Sequence, residues 1–358
     1  MTLARIIKIY NSEDKILFEH DFKNKIHQMK IRPDGSSVSL LSLENDSYYD
    51  LWKIDLNSFE FKLLYQSPRD QHRWEAWMQY SQNGDYLLQF GGDWTMGNIN
   101  VFDANEDKLL WSNDTSHELF VITVDESHDQ TTITTSGIDE VTRVWDIKTG
   151  KEVMRPLQHD VGVWYSVFSP DQMKIAALTL NAIHVIDVKS GKAKPLPLPE
   201  KEYRGVSFKS PKVIAFSVKL DGTWQVVEYH LEDNSMVRLP PKWKSIQYHA
   251  VADNWLWVDQ DDKWYSGGNA TPFTMPKENV PAFYGRQFNV RKSGQHIAFY
   301  DGQKNQIQFF KHQSEKPFVS IQSQEGHFSL NGNIVLTSQK SSSANSSDLY
   351  QTYRVPTQ

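Results

Sequence analysis

The chain has 358 residues, a net charge of −6 and a pI of about 6.1, so no overall basic field attracts it to nucleic acid or to an anionic membrane surface. It contains no cysteine, which excludes disulfides, thiolate nucleophiles and cysteine-based zinc or iron–sulfur sites. No stretch approaches the roughly 20 apolar residues of a membrane helix, and the N-terminal apolar run is too short for a signal peptide. We therefore expect a soluble cytoplasmic protein without membrane or nucleic-acid partners.

A repeated strand pattern runs along the chain after two N-terminal apolar runs, RIIKIY and KILFEHDF. One segment of each unit alternates apolar and polar residues and recurs at intervals of about 45 residues, with one shorter interval. In chain order these segments are DLWKID near 52, INVFD near 101, TRVWDI near 145, IHVIDV near 185, WQVVEYH near 227, KWYS near 264, QIQFF near 308 and LYQTYRV near 351. This period is typical of the four-stranded blades of a β-propeller and is longer than that of common helical repeats.

Each of these segments follows two predicted strands and two tight turns. The turns are rich in Pro, Asn, Asp and Gly, as in RPDG at 32–35, SQNG at 81–84 and SPDQ at 169–172. These are the residues that hairpin bends require. No stretch shows sustained helical periodicity or the composition of an interdomain linker, so we predict one all-β domain over residues 1–358.

Residues 117–151 show the repeated unit most clearly. An apolar run at 120–124, a β-rich stretch at 131–136 and an alternating stretch at 141–147 predict three strands separated by turns. Within this unit, His117 precedes the first strand, and Asp139 lies six positions before Trp145.

With these residues, the segment resembles the WD-repeat family of β-propellers, and FSPD at 168–171 extends the likeness into the next unit. The resemblance implies a hydrogen-bonded His–Thr–Asp–Trp set that holds one blade together. In this chain the set would be formed by His117, Thr135, Asp139 and Trp145.

The predicted fold is a single β-propeller of eight four-stranded blades, closed by strands from both termini. The C-terminal runs GHFSL, NIVLTSQ and LYQTYRV give three strands of a last blade. An N-terminal strand would complete that blade and leave no unpaired edge. Seven blades is the alternative, if the unit around residues 245–275 is irregular or merged with a neighbour.

His117, Thr135 and Asp139 are also the residue types of a catalytic triad. No Gly-x-Ser-x-Gly elbow accompanies them in the sequence, so we interpret the set as a buried structural network. The twelve histidines lack metal-ligand spacing and no Gly-rich phosphate loop precedes a helix, so we predict no catalytic residue, no metal and no cofactor. One alternative stays open. If turn carboxylates converge at the mouth of the central channel, the chain is a hydrolytic or small-molecule-binding propeller.

Aromatic and basic residues gather where the innermost strands of such a ring would begin. The resemblance to WD-repeat propellers implies that this end of the ring binds partners, and Trp, Tyr and Arg dominate interface energies. The competing interpretation for any one of them is packing in the wedge between sheets. We predict a non-catalytic platform that binds a partner protein or peptide through Trp74, Trp77, Trp94, Trp164, Tyr165, Tyr203, Arg204 and Arg286.

Overall fold

The described residues form β-strands joined by turns and short loops. The computed structural model describes residues 6–10, 16–44, 48–68, 75–198, 202–220, 222–238, 243–249, 254–259, 263–266, 273–274, 296–301, 306–311, 319–322, 328–331, 334–339 and 349–354. None of these stretches contains a helix long and apolar enough to cross a membrane.

Five antiparallel four-stranded sheets follow one another between residues 25 and 238. Before them, β1 (Ile6–Tyr10) pairs antiparallel with β2 (Ile16–Asp21). Each of the five sheets is a meander, because its strands pair in chain order. Sheet I consists of β3 (Lys25–Ile31), β4 (Ser37–Glu44), β5 (Tyr48–Asp55) and β6 (Phe61–Gln66). Sheet II consists of β7 (Glu75–Tyr80), β8 (Tyr86–Gly92), β9 (Gly97–Asp103) and β10 (Lys108–His117). Sheet III consists of β11 (Val121–Glu126), β12 (Thr132–Gly137), β13 (Val141–Asp146) and β14 (Leu157–Gln158). Sheet IV consists of β15 (Val163–Phe168), β16 (Lys174–Thr179), β17 (Ile183–Asp187) and β18 (Ala193–Pro195). Sheet V consists of β19 (Tyr203–Ser210), β20 (Val213–Leu220), β21 (Thr223–His230) and β22 (Met236–Arg238).

Further strands continue towards the C-terminus and again pair with their neighbours in chain order. They are β23 (Trp243–His249), β24 (Asn254–Asp259), β25 (Lys263–Ser266) and β26 (Phe273–Thr274), then β27 (His296–Asp301), β28 (Gln306–Lys311) and β29 (Val319–Gln322), and finally β30 (Phe328–Asn331), β31 (Ile334–Gln339) and β32 (Leu349–Arg354). The last strand, β32, also pairs in parallel with β1, with Ile6 opposite Leu349 and Ile9 opposite Thr352.

Short polar side chains shape the turns of these sheets. In the turn after β7, the Ser81 hydroxyl accepts the backbone N–H of Tyr86 at 2.9 Å. In the turn after β13, Asp146 Oδ1 accepts the backbone N–H of Thr149 at 2.8 Å. Side chains of this length satisfy backbone groups that the turn leaves without a strand partner, which is why Ser and Asp recur where the strands end.

The core lies between the faces of neighbouring sheets. Ile99 and Val101 of sheet II pack in one apolar cluster with Val121, Ile133 and Trp145 of sheet III. Neighbouring sheets cover the second strands on both faces, so these strands are largely buried, and all residues of β8 are buried, including the polar Gln89. This packing holds the ends of the strands, and the loops that join them, in fixed positions.

The sheets share one orientation. First strands of neighbouring sheets contact one another between sheets I and II (β3 with β7), III and IV (β11 with β15) and IV and V (β15 with β19), so the first strands lie innermost. Val121, at the start of β11, is paired with Gly137, at the end of β12. The loop before a first strand therefore lies at the same end as the turn between the second and third strands. We call this end the upper rim and the opposite end the lower rim.

Candidate functional site

A buried hydrogen-bonded set lies beneath the upper rim of sheet III. The His117 imidazole places Nδ1 2.8 Å from Asp139 Oδ2 and Nε2 2.8 Å from Thr135 Oγ1. The Trp145 indole N–H donates to the same Thr135 oxygen at 2.8 Å. Since an indole N–H only donates and a carboxylate only accepts, the hydroxyl accepts from the indole, and Nδ1 donates to the carboxylate. In the neutral imidazole, Nε2 then accepts the hydroxyl proton of Thr135. The structure thus brings all four residues of the predicted structural set into one network.

Asp139 also joins two loops of the upper rim. Its carboxylate accepts the backbone N–H of Glu118 at 3.2 Å and that of Val141 at 3.3 Å. The Thr135 hydroxyl is fully buried and engaged on both sides, so it has no open path to a substrate. This geometry positions the rim of sheet III and does not present a nucleophile.

Trp94 is the most exposed aromatic residue of the described upper rim, with 59% of its surface accessible to solvent. Its loop, residues 93–96, is closed by two hydrogen bonds. Asp93 N donates to Met96 O at 2.9 Å, and Met96 N donates to Asp93 Oδ1 at 3.0 Å. The Trp94 ring meets Phe120 edge-on, with ring centroids 5.1 Å apart and planes at 82°. The loop therefore holds a large apolar surface in a fixed position facing solvent.

Two other predicted partner-binding residues have packing contacts. Trp77 is partly buried, with its ring centroid 6.0 Å from that of Phe90 and 6.4 Å from that of Phe120. Tyr203 is 9% exposed and meets Phe216 edge-on at 6.0 Å within the core of sheet V. Trp77 therefore packs against Phe120, the residue that Trp94 also contacts. Tyr203 exposes little surface that a partner could contact.

The remaining predicted residues fall into two groups. Trp164 and Tyr165 are half-buried at the start of β15, and Arg204 is exposed at the start of β19, all at the upper rim. Trp74 and Arg286 lie outside the described residues. Trp77, Trp94, Trp164 and Arg204 thus belong to the same rim, although they come from three different sheets.

Two apolar residues of the upper rim escaped the sequence analysis. Phe120 lies in the loop before β11, although the apolar run at 120–124 had placed it in a strand. Leu180 lies in the turn between β16 and β17 and is 61% exposed. A leucine inside a Leu-Asn-Ala turn is the signal that could have pointed to it, because such turns favour polar residues.

Two carboxylates end the innermost strand of sheet III near the lower rim. Asp125 Oδ2 accepts the backbone N–H of Phe168 in sheet IV at 2.8 Å, and Glu126 Oε2 accepts that of Gln82 in sheet II at 2.8 Å. Removal from water raises the pKa of Asp125 to about 6 and that of Glu126 to about 7. The two side chains point to opposite neighbours. Among the described residues, no group of three or more His, Asp or Glu is arranged to hold a metal ion.

We expect the Asp125→Asn/Glu126→Gln variant to be more stable than the wild type at pH 8 by about 1–3 kcal/mol, and similar to it at pH 4. Both folded-state pKa values are raised, so the folded wild type binds more protons than the unfolded chain, and its stability falls as pH rises from about 4 to about 7. The amide oxygens can still accept the two backbone N–H groups. Urea unfolding of both proteins across this range isolates the effect, and a difference in stability that does not change with pH would contradict it.

Comparison with known proteins bears on the fold. No family model matches the chain. The β-propeller domain of Cps50 (Swd1) from Myceliophteria thermophila superimposes with a TM-score of 0.53, at 11% identity, over 73% of this chain and 92% of that domain. A structure of the mitotic checkpoint complex matches with a TM-score of 0.49, at 12% identity, over 90% of this chain and 84% of that one. The match to the Cps50 domain shows that the chain has a β-propeller fold. The predicted resemblance to WD-repeat propellers is confirmed at the level of fold.

Proposed function

We propose that residues 1–358 form a single propeller domain of eight blades, closed by strands from both ends of the chain. Five complete four-stranded sheets, each with its first strand innermost, support this arrangement. The pairing of the later strands in chain order and the parallel pairing of β1 with β32 also support it. Closure would leave the innermost sheet edges covered and the loops of the upper rim held on a rigid ring.

We further propose that this ring is a non-catalytic platform that binds a partner protein or peptide on its upper rim. The observation that carries the proposal is Trp94, which is held in a closed loop against Phe120 while 59% of it faces water. Burying such a side chain on binding is worth several kcal/mol, and the fixed loop loses little conformational entropy. Buried aromatic anchors of this kind are typical interface hot spots. A cytoplasmic location stays a prediction from composition.

Replacing Trp94 by alanine is expected to weaken partner binding about 30-fold, the effect of losing a hot spot of about 2 kcal/mol. A partner is first captured from native lysate on the immobilised wild-type chain and identified by mass spectrometry. Its Kd is then measured by calorimetry for the wild type and for Trp94→Ala, both checked for equal thermal unfolding.

The matched control is Met173→Ala. Met173 is 50% exposed but lies in the turn between β15 and β16, on the lower rim. The control should bind as the wild type does. Equal affinity of Trp94→Ala and the wild type would reject the upper rim as the binding surface.

A further inference from the structure

The exposed apolar residues of the upper rim lie on a continuous row of loops across sheets II to IV. Trp94 of sheet II meets Phe120 in the loop before sheet III. A Cβ atom at Gly137 would lie 2.6 Å from Phe120 O, so that loop lies directly against the turn of residues 138–140. That turn in turn contacts the loop before sheet IV, because a Cβ atom at Gly162 would lie 3.4 Å from Ile138 Cα. These contacts define one surface, which we call the II–IV rim.

Among the described residues, the loops of the II–IV rim carry acidic side chains and no lysine or arginine. The five loops that lie wholly within the described residues have the sequences DWTM at 93–96, ELF at 118–120, IDE at 138–140, HDVG at 159–162 and LNA at 180–182. Glu118 and Asp160 are exposed, and Glu140 is partly exposed. The lysines of this part of the chain, Lys108, Lys148, Lys151 and Lys174, begin strands or lie in turns at the opposite end, on the lower rim.

The acidic side chains lie in the same loops as the apolar residues or in adjoining loops. Glu118 is two residues from Phe120, in the same loop. Glu140 is joined to the next loop, because its carbonyl accepts the backbone N–H of His159 at 2.7 Å, and Asp160 follows directly. At sheet V, Lys219 is ion-paired with Glu202 at 2.9 Å, and Arg204 is exposed at the start of β19. Among the described loops, the stretch of the upper rim without lysine or arginine therefore ends at sheet V.

We propose that the partner of the II–IV rim is a cationic peptide segment, in which lysine or arginine side chains flank an apolar residue. This inference rests on the proposed platform function. The apolar residue packs on Phe120 and Trp94, and a guanidinium or ammonium group lies over the exposed Trp94 face. Glu118, Glu140 and Asp160 attract the remaining positive charges. The same acidic side chains repel nucleic-acid phosphates and acidic peptides, so charge complementarity sets specificity as well as attraction.

The test selects random 12-residue peptides, displayed on phage, against the immobilised full-length chain. We expect the recovered peptides to contain at least twice the Lys and Arg content of the unselected library. For recovered peptides made synthetically, the Glu118→Gln/Glu140→Gln/Asp160→Asn variant should bind about tenfold more weakly than the wild type, as expected for three exposed charge pairs. Raising the salt concentration should weaken wild-type binding more than binding to this variant.

The matched control is Glu60→Gln/Glu106→Gln/Glu232→Gln. It makes the same change in net charge at exposed positions of lower-rim turns, and it should bind as the wild type does. Recovered peptides without basic enrichment, or equal binding by the rim variant and the wild type, overturn the inference. If Trp94→Ala still abolishes that binding, the platform stands and only the cationic partner is wrong. If no peptide is recovered, or if neither Trp94→Ala nor the rim variant affects binding, both proposals fail.

Discussion

Replacing Asp139 by alanine is expected to lower the free energy of unfolding by about 3–5 kcal/mol. The carboxylate is buried and accepts three hydrogen bonds, from His117 Nδ1 at 2.8 Å, from Glu118 N at 3.2 Å and from Val141 N at 3.3 Å. Alanine would leave the buried imidazole without its acceptor and would release two backbone N–H groups. The cost is large because water cannot readily replace an acceptor in this position.

Urea unfolding followed by tryptophan fluorescence gives the free energy of unfolding for the wild type and for Asp139→Ala. Asp139→Asn is the conservative variant, because its amide oxygen can still accept, and it should recover part of the loss. The control is Asp160→Ala, which removes an exposed carboxylate one sheet away and should change stability by less than about 0.5 kcal/mol. A loss below about 1 kcal/mol for Asp139→Ala would show that the network contributes little to the fold.

Replacing Tyr49 by alanine is expected to destabilise the protein by about 3–5 kcal/mol. The side chain is fully buried between sheets I and II and packs in one cluster with Leu87 and Phe102. Its hydroxyl donates to Gln89 Oε1 at 2.5 Å and accepts from Asn100 Nδ2 at 3.1 Å. Alanine would leave a cavity and would also remove one partner of three buried amides, those of Gln89, Asn98 and Asn100.

A pair of variants separates these two contributions. Tyr49→Phe removes the hydroxyl alone and should cost about 1–2 kcal/mol. Leu63→Ala, at a 36% exposed position of the fourth strand of sheet I, is the control and should cost less than about 1 kcal/mol. Chemical unfolding of the three variants tests whether their losses in the free energy of unfolding follow this order. If Tyr49→Phe and Tyr49→Ala were equally unstable, packing of the ring would contribute nothing.

The strand pattern could be predicted from the sequence because turn chemistry is local. The strands predicted at 131–136 and 141–147 are observed as Thr132–Gly137 and Val141–Asp146. The first strand of this unit was predicted to begin at residue 120 and is observed as Val121–Glu126. The difference matters for the site, because Phe120 becomes a loop residue. An apolar run does not show where a strand ends when an apolar residue also faces solvent beyond it.

The buried polar cluster could not be predicted. Gln89, Asn98 and Asn100 are fully buried between sheets I and II, although polar residues at alternate positions of a strand usually indicate a solvent-facing side. They are buried because sheet I packs against sheet II, which is a property of the packing of neighbouring sheets and not of the single strand. Tyr203 illustrates the same limit, since only the packing of sheet V shows how little of it is exposed.

The candidate site depends on both kinds of information. The network beneath the upper rim could be predicted from the spacing of His117, Asp139 and Trp145, because the resemblance to WD-repeat propellers implies a hydrogen-bonded set for residues at that spacing. The contact between Trp94 and Phe120 could not be predicted from the sequence, because the two residues lie in loops of different sheets. Long-range neighbours of this kind are set by sheet-to-sheet packing, which no local pattern encodes.

Hydrogen–deuterium exchange of the full chain, free and bound to the captured partner, tests whether the partner binds the upper rim. We expect slower amide exchange on binding in residues 93–96, 118–120 and 138–140, which lie at the upper rim of sheets II and III. We expect no change in the lower-rim turns at residues 104–107 and 147–151. Protection confined to the lower rim or to the fourth strands, with the three upper-rim loops unchanged, would contradict binding at the upper rim.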